Sequence, residues 1–417
     1  MLKRAIFDQI LQRIKLDQLT VRYWDGKETT YGKTGRHIGT LTIHDPGVLD
    51  EITKNVDLGF GEAYMDGRVE FDGDVHDLII FSLENKELFP SLQGVKAISG
   101  ILRGFNKATS VKEQRADIHH HYDLGNDFFR LFLDPTMTYS CAYFRSEKDS
   151  LETAQRQKVS HTLKKLSLQP GEKLLDIGSG WGQMILEAAD TYGVTAHGIT
   201  MSDEQVVETK RRIEEKGVGA QVSVALEDYR DHAKTHVGAY DKIVSVGMFE
   251  HVGQPNLPIF MEAVQKMLKP GGLLLLHFIT KHKEEVGGGF TLRYIFPGGY
   301  IPSVRQTVSL FAEEGFHLLD VENLRYHYAL TLDEWSKNFN HNLAKVRELF
   351  RAEKFAERWQ GDADVERFIK MWHLYLRGSA AGFRAGTIEL HQFLVSKGVN
   401  NHLPLTRENW YREIHKK

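Results

Sequence analysis

The second half of the chain alternates short apolar runs with amphipathic ones, and this alternation restricts the possible folds more than any other feature. Five runs have the composition of buried strands: "KLLDIG", "VTAHGIT", "AQVSVAL", "YDKIVSVGM" and "GLLLLHFI". Helical patterns separate most of them. Near-continuous apolar strands joined by helices are typical of a parallel sheet covered on both faces. We therefore predict an α/β fold after Glu172.

Residues 1–94 have the pattern of a smaller, mixed α/β domain. The Asp25-Gly26 pair between strand-like residues predicts a hairpin, and "VLDEITKN" predicts a helix. We find no set of catalytic residue types in this part of the sequence. It is either a scaffold domain without chemistry or a docking domain for lipid and membrane.

Composition excludes several classes of protein. The formal charge of -3 and the sequence pI of about 6.7 argue against a nucleic-acid binder, which is usually strongly basic. The single cysteine, Cys141, excludes an internal disulfide and fits a reducing cytoplasm. The most apolar run is too short to span a bilayer, so we expect any membrane contact to be peripheral.

Residues 95–117 form a basic linker between the two predicted domains. Between residues 95 and 115 the single acid is Glu113, and the basic side chains are Lys96, Arg103, Lys107, Lys112 and Arg115. One interpretation is a solvated linker helix. The other is an amphipathic segment attracted to anionic lipid headgroups, at about 1 kcal/mol for each basic side chain near the surface.

The strongest local motif is "LLDIGSGWG", in which a buried strand runs into a glycine-rich turn and then a helix. Gly178, Gly180 and Gly182 allow the backbone to approach a ligand closely at the carboxyl end of the strand. The spacing is not that of a dinucleotide fingerprint. Together with Asp176, the motif resembles the first motif of the S-adenosylmethionine-dependent methyltransferases. The alternative is a structural turn in another α/β enzyme.

Polar residues after the next two strands suit the same cofactor. Thr200 and Gln205 follow the second strand and offer contacts to the ribose and methionyl end. Many proteins with this fold have an acidic residue where this chain has Ile199-Thr200. Glu227 and Asp228 follow the third strand and offer acceptors for the adenine amino group. A solvated acidic loop is the alternative for these two residues.

The segment "GMFEHVG" places Glu250 and His251 at the carboxyl edge of the fourth strand. His277 lies within the apolar run "LLLLHFI", where a histidine is more often a satisfied core residue. Glu250 would also serve as a helix cap. The aromatic insertion "GGGFTLRYIFPGGYIPS" suits the wall of an apolar cavity.

As a set, the motifs closely resemble the cyclopropane-fatty-acyl-phospholipid synthases and their mycolic-acid relatives. The matching stretches occur in the family's order and cover nearly the whole chain: "HHYDLGNDFF", "TYSCAYF", "LLDIGSGWGQ", "GITMSDEQ", "LEDYRD", "MFEHVG", "RYIFPGGYIPS" and "FRAGTIELHQFLVSKG". The resemblance implies a Rossmann-like class I methyltransferase domain over residues 118–417. It also implies Tyr122, Tyr139 and Ser140 as further contacts to S-adenosylmethionine.

The resemblance further implies the reaction. A methylene group from S-adenosylmethionine is added to the cis double bond of an unsaturated phospholipid acyl chain. A carbocation forms, and loss of a proton to a bound bicarbonate closes a cyclopropane ring. The implied bicarbonate cage comprises Cys141, Glu250, His277, the backbone of Ile279, and Tyr328. Its side chains offer both donors and an acceptor for bicarbonate.

Several residues keep alternative interpretations. Cys141 is otherwise a small buried hydrophobe. Some family members have a cysteine where this chain has Ser379, which argues against a role for a thiol there. The rings of Tyr139, Phe144 and Tyr294 are candidates for stabilising the cation. Three adjacent histidines, His119 to His121, do not present three imidazoles to one ion, so we predict no metal site.

Three other functions stay open at this stage. The first is methylation without ring closure, which gives a methyl-branched or hydroxylated chain. The second is a lipid-binding protein without catalysis. The third, a nucleic-acid methyltransferase, fits poorly because no basic face is evident. We expect a cytoplasmic enzyme at the anionic inner face of the membrane, with a homodimer as a possible state.

Overall fold

The structure is a computed structural model that describes residues 2–85, 124–284, 289–352 and 361–411. These residues fall into two compact units. The first contains residues 2–85, 289–297, 332–352 and 361–387. The second contains residues 124–284, 298–331 and 388–411. Within the described residues, no helix has the length and apolar character needed to cross a membrane. The basic linker and the three adjacent histidines lie outside the described residues.

A four-stranded sheet organises the first unit. Its strands are β1 (Leu16–Arg22), β2 (Glu28–Tyr31), β3 (Thr34–Ile43) and β4 (Val69–Asp72), in the order β2-β1-β3-β4. The predicted hairpin is confirmed, because β1 and β2 pair antiparallel across the Asp25-Gly26 turn. The helices assigned wholly to this unit are Leu2–Leu11, Val48–Lys54, Val56–Met65, Val75–Glu84, Gly289–Tyr294, Leu343–Arg351 and Asp362–Arg384.

The helix Val56–Met65 is held by a side-chain cap at its start and by close contacts with Phe290. Asn55 accepts a hydrogen bond from the backbone N–H of Leu58 at the start of the helix Val56–Met65. The backbone N–H of Phe290 donates to Asp57 at 2.9 Å. A Cβ on Gly61 would lie 2.4 Å from the Phe290 ring, so this contact requires a glycine. The segment around Phe290 therefore packs directly on an N-terminal helix.

A seven-stranded sheet organises the second unit, in the order β10-β11-β9-β8-β5-β6-β7. The strands are β5 (Lys173–Ile177), β6 (Thr195–Thr200), β7 (Val222–Leu226), β8 (Tyr240–Val246), β9 (Leu268–Thr280), β10 (Phe316–Asn323) and β11 (Glu389–Lys397). The five predicted strands are β5 to β9, which pair parallel to one another. β10 and β11 were not predicted, and β11 runs antiparallel to both of its neighbours.

Apolar side chains cover both faces of this sheet. Leu174 and Leu175 are neighbours on β5, yet they belong to two different buried clusters. Successive strand residues point to opposite faces, so each face has its own core. The helices around the sheet are Asn126–Phe129, Leu151–Lys165, Gln183–Tyr192, Asp203–Lys216, Tyr229–Thr235, Leu257–Met267, Val304–Glu313 and Glu408–Tyr411. The helix Arg325–His341 is divided between the two units at residue 331. The predicted α/β class is confirmed.

The strand order places a crevice at a defined edge of the sheet. The chain runs from β5 outward to β6 and β7, then returns to β8 on the other side of β5. Open α/β sheets bind ligands outside the carboxyl ends of the strands, where the strand order reverses. The candidate site therefore lies beyond the ends of β5 and β8.

Candidate functional site

A cavity opens at the carboxyl ends of β5, β6, β7 and β8, as the glycine motif predicts. Nine of the predicted cofactor residues line it: Tyr139, Ser140, Asp176, Gly178, Gly180, Thr200, Gln205, Glu227 and Asp228. Gly182 does not line the cavity but begins the helix Gln183–Tyr192. Tyr122 lies outside the described residues. The structure thus brings nine of the eleven predicted cofactor residues to one cavity, and their contact with S-adenosylmethionine stays a prediction.

The glycine turn keeps the backbone close to its neighbours. Gly178 has a φ of +81°, and a Cβ there would lie 2.8 Å from the side chain of Met248. Gly182 has a φ of +85°, and a Cβ there would lie 2.5 Å from the methyl group of Thr209. Both positions need the absence of a side chain as well as the left-handed backbone. Gly182 therefore shapes the turn without contacting the cavity.

The polar residues beyond β6 and β7 are already partly paired. Thr200 Oγ1 donates to Gln205 Oε1 at 2.6 Å. The Asp228 carboxylate accepts from the backbone and guanidinium of Arg230, at 2.7 to 2.9 Å. Asp228 is also buried, so the alternative of a solvated acidic loop does not describe it. Glu227 Oε2 lies 2.8 Å from His232 Nδ1.

An aromatic segment before the sheet packs against the glycine turn. Phe128 and Phe129 are buried. The Phe129 ring lies 5.3 Å from the Tyr139 ring and 5.4 Å from the Trp181 ring. Trp181 Nε1 donates to Asn126 Oδ1 at 2.7 Å. This segment fixes two aromatic residues, Tyr139 and Trp181, that line the cavity.

Three cavity residues were missed from the sequence. Ser179 Oγ and Tyr229 Oη are buried and have no hydrogen-bond partner within the described part of the chain. Lys158 also lines the cavity, and its ammonium group donates to Ser140 Oγ at 2.9 Å. A lysine in an amphipathic helix carries no signal of burial. Ser179 was within the glycine motif, and only its hydroxyl was overlooked.

Two titratable groups of the cavity have shifted pKa values. Burial raises the pKa of Asp176 to about 7, although the nearby Lys158 lowers it. Burial lowers the pKa of Lys158 to about 8, while Cys141, Asp134 and Asp176 raise it. The residues that line the cavity therefore include one buried acid and one buried base.

A second group of predicted residues lies at the end of β9. This strand continues past the end of β8, whose last residue, Val246, pairs with His277. The backbone N–H of Ile279 is consequently available on that side, and it donates to Glu250 Oε1 at 2.7 Å. Glu250 Oε2 is buried and has no hydrogen-bond partner among the described residues. Burial raises the pKa of Glu250 to about 7, and the Ile279 N–H lowers it.

His277 presents one ring nitrogen without a partner. Gln392 Nε2 donates to His277 Nδ1 at 3.0 Å, which leaves the ring proton on Nε2. His277 Nε2 is buried and lacks a hydrogen-bond partner in the described ranges. Burial holds the pKa of His277 well below its usual range, so the ring is neutral. Glu250 and His277 thus offer one buried acceptor and one buried donor.

Cys141 and Tyr328 converge on one carbonyl group. Cys141 Sγ lies 3.9 Å from the Leu324 carbonyl oxygen, to which the Tyr328 backbone N–H donates at 3.3 Å. The Cys141 thiol is fully buried, and burial raises its pKa far above the usual value. A reactive thiolate is therefore excluded by this environment. None of the five predicted cage residues is among those that line the cofactor cavity.

The aromatic candidates for cation stabilisation occupy different parts of the structure. Tyr139 lines the cavity. Phe144 belongs to the second unit, and its backbone N–H donates to His327 Nδ1 at 3.0 Å. Tyr294 belongs to the first unit, where its hydroxyl donates to Glu62 at 2.7 Å. Ser379 lies in the helix Asp362–Arg384 of the same unit.

One group of described residues brings three metal-ligating atoms within 4.8 Å of one another: His197, Glu227 and His232. The two imidazole rings are stacked, with centroids 5.2 Å apart and an angle of 15° between their planes. An imidazole nitrogen binds a metal in the plane of its ring, so two stacked rings do not direct their lone pairs at one ion. This arrangement suits a hydrogen-bonded stack rather than a metal site.

The comparisons with known proteins agree with this geometry. The family model "Mycolic acid cyclopropane synthetase" matches residues 109–393, and a domain of unknown function, DUF7884, matches residues 6–93. The cyclopropane-fatty-acyl-phospholipid synthase of Escherichia coli (strain K12) is 37% identical over 88% of this chain and 90% of its own. The tuberculostearic acid methyltransferase UfaA1 of Mycobacterium tuberculosis is 34% identical over 94% of this chain and 92% of its own.

Solved structures give the same result. The cyclopropane synthase MmaA2 from Mycobacterium tuberculosis has a TM-score of 0.61 and 35% identity, over 70% of this chain and all of that one. The mycolic acid cyclopropane synthase CmaA1 complexed with SAH and CTAB has a TM-score of 0.60 and 35% identity, over 68% of this chain and 98% of that one. With the motif order, the sheet and the cavity already established, the chain belongs to the mycolic acid cyclopropane synthetase family of S-adenosylmethionine-dependent methyltransferases.

Proposed function

We propose that this protein transfers a methylene group from S-adenosylmethionine to the cis double bond of unsaturated acyl chains in membrane phospholipids, forming a cyclopropane ring. S-adenosylmethionine supplies an electrophilic methyl group, and bicarbonate accepts the proton whose loss closes the ring. The observation that carries the proposal is the pair of buried groups without partners, Glu250 Oε2 and His277 Nε2, near the end of β9.

The residues present fit bicarbonate, whose own O–H needs an acceptor and whose oxygens need donors. Glu250 Oε2 is the free acceptor and His277 Nε2–H is the free donor. The Ile279 N–H is engaged by Glu250 Oε1, so in this structure it positions the carboxylate. We assign Glu250 and His277 to holding the base, and Ile279 to orienting Glu250. The Tyr328 hydroxyl is the further proposed donor.

The same residues must also exclude water, because water would convert a carbocation into an alcohol. His277 and Cys141 have exposed fractions of 1% and 0%. Gln392 supports His277 from the neighbouring strand β11 and also donates to Thr162 Oγ1 at 3.2 Å. Buried, hydrogen-bonded side chains of this kind hold a site rigid and dry, which ring closure requires.

One experiment tests the reaction. The protein is expressed in a host whose phospholipids contain unsaturated chains, and the acyl chains are analysed by mass spectrometry and by double-bond derivatisation. We expect one added CH₂ and loss of the double bond. An added CH₂ with the double bond retained would reject the cyclopropane product. Unchanged lipids, in a host with confirmed expression, would reject the activity.

A second candidate function is methylation without ring closure. The observation that favours it is the relative named a tuberculostearic acid methyltransferase, which matches nearly the whole chain. The product distinguishes the two candidates, since ring closure adds CH₂ and removes the alkene. Loss of a proton without ring closure leaves an alkene, and capture of the carbocation by water adds a hydroxyl group. The rate should rise with added bicarbonate in CO₂-depleted buffer, and Glu250→Gln should remove that response. A rate independent of bicarbonate would reject bicarbonate as the base.

We also propose that the enzyme works at the anionic inner face of the cytoplasmic membrane through residues 1–94 and the basic linker. The support is the charge of residues 95–115 of that linker, which contain five basic residues and one acid. Replacing Lys96, Arg103 and Lys107 with glutamine should weaken binding to vesicles containing anionic phospholipid. The matched control replaces three exposed lysines elsewhere, which are Lys210, Lys216 and Lys234. Equal binding by both variants would refute the role of the linker, and a homodimer stays a prediction.

A further inference from the structure

Lys158 is a buried cation whose role the reaction described above does not explain. It lies in the helix Leu151–Lys165, and its exposed fraction is 2%. Lys158 is one of the residues that line the cofactor cavity, and its ammonium group donates to Ser140 Oγ, another lining residue, at 2.9 Å. No carboxylate of the described residues lies within 4.0 Å of it. A buried charge without an ion-pair partner is costly unless a ligand completes its environment.

The position of Lys158 along the cavity indicates which part of the cofactor it meets. A Cβ on Gly247, which follows β8, would lie 3.8 Å from Ser140 Cβ, so Ser140 and Lys158 occupy the β8 and β5 end. Glu227 and Asp228 follow β7 at the other end. β7 is two strands from β5, which is about 10 Å at the usual strand spacing. With adenine beside Glu227, the amino-acid end of the cofactor lies beside Lys158.

That end of S-adenosylmethionine is a zwitterion, with one carboxylate and one ammonium group. The cavity offers the complementary pair of charges. Lys158 is a buried cation, and Asp176, on strand β5, is a buried acid. The sulfonium centre is positive and would be repelled by Lys158, so the carboxylate is the group that suits it. Asp176 then suits the α-ammonium group.

We propose that Lys158 binds the methionyl carboxylate of S-adenosylmethionine, with Ser140 Oγ holding its ammonium group in place. This inference rests on the proposed use of the cavity for that cofactor and adds a binding residue to it. Together, Lys158 and Asp176 make the site selective for the α-amino acid head, beyond the adenosine part of the ligand. A charge-assisted hydrogen bond of this kind also orients the methyl donor.

Two ligands that differ only in the methionyl carboxylate test its contribution to binding. One is S-adenosylhomocysteine, and the other is the amine left when its carboxylate is replaced by hydrogen. Affinities of both are measured by calorimetry for the full-length wild type, Lys158→Met and the exposed control Lys210→Met. We expect the wild type and Lys210→Met to prefer S-adenosylhomocysteine by about 10- to 100-fold, the usual effect of one hydrogen bond to a charged group. Lys158→Met should bind both ligands within about twofold of each other.

The outcomes separate the possible roles of Lys158. If Lys158→Met lowers the affinity for both ligands by the same factor, the lysine only supports the fold around Ser140, and the inference is overturned. If Lys158→Met does not fold, the wild type and Lys158→Arg complete the test, since both retain a cation and must retain the preference. Equal affinity of the wild type for the two ligands would also overturn it. The binding measurement contains no lipid substrate, so it tests the role of Lys158 separately from the reaction. Unchanged lipids in the expression host would count against the proposed reaction and not against this inference.

Discussion

Glu250 and Ile279 are joined by a 2.7 Å hydrogen bond from the backbone N–H of Ile279 to Oε1 of the carboxylate. The bond exists because β9 extends beyond β8, so the N–H faces a side chain rather than a neighbouring strand. It orients the carboxylate and leaves Oε2 buried without a partner. One oxygen is thus held by the main chain, and the other is the acceptor that we propose for bicarbonate.

Replacing Glu250 with glutamine should reduce turnover strongly and leave cofactor binding intact. The amide oxygen still accepts from Ile279, but the other atom becomes a donor and no longer accepts from bicarbonate. We expect turnover to fall by about 100-fold or more, in the range of lost acid–base catalysis, with cofactor affinity within about twofold of wild type. Glu262→Gln on an exposed helix face is the control. Equal losses of turnover and affinity would contradict the assigned role.

The same substitution should stabilise the folded protein at alkaline pH. Burial raises the pKa of Glu250 to about 7 from an ordinary 4.5, so the folded state binds a proton more tightly than the unfolded state. The contribution of this group to stability is full below pH 4.5 and is lost as pH rises through 7. At pH 8 we expect Glu250→Gln to exceed the wild type by up to about 3 kcal/mol in free energy of unfolding.

Urea denaturation of both proteins at pH 5 and pH 8 measures this difference. The difference in free energy of unfolding between Glu250→Gln and the wild type should be small at pH 5 and larger at pH 8. Glu262→Gln, whose carboxylate is exposed, should show the same gap at both values. A constant gap for Glu250→Gln would mean that its carboxylate is not buried in the folded protein.

Replacing Tyr328 with phenylalanine tests the proposed donor. Loss of the hydroxyl should lower turnover by about 10-fold or more without weakening cofactor binding, because the ring and the helix are retained. Tyr326→Phe is a close control, since Tyr326 is 45% exposed and lies in the same helix, Arg325–His341. Steady-state kinetics on unsaturated phospholipid vesicles gives the comparison. If Tyr328→Phe and its control were equally active, Tyr328 would have no part in the cage.

Replacing Cys141 with serine should leave most of the activity. The thiol is buried and donates to the Ala142 carbonyl at 3.2 Å, and a serine hydroxyl can make the same contact. Since burial raises the thiol pKa, no thiolate is present to act as a nucleophile. We expect turnover within about threefold of wild type, the effect of a small change in one neutral hydrogen bond. Complete inactivity of a folded Cys141→Ser variant would instead indicate covalent catalysis.

The strands that the sequence predicted are those whose pattern is local. β5 to β9 are apolar runs separated by helices, so each can be recognised within ten or so residues of sequence. β11 is also apolar, but it pairs with β9 and β10 from distant parts of the chain. Its position in the sheet depends on contacts that no local pattern describes. The same limit applies to Gln392, which supports His277 from 115 residues away.

For the candidate site, too, the sequence predicted the residues that form local motifs and missed those that depend on tertiary packing. The glycine motif and the acids after β7 are contiguous in sequence, and the structure places them around one cavity. Lys158 was missed because a lysine among polar residues predicts a solvated helix face, and only tertiary packing buries it. The orientation of Glu250 was missed because its partner is a main-chain group, which has no residue type to recognise.

The extension of β9 has a consequence for how this site tolerates change. The Ile279 N–H is supplied by the polypeptide itself, so nearly any amino acid at position 279 can orient Glu250. Proline is the exception, because it has no amide hydrogen. A saturation library at this position should therefore recover activity for many side chains and lose it for proline. The orientation of Glu250 therefore depends on the path of the main chain rather than on the side chain at position 279.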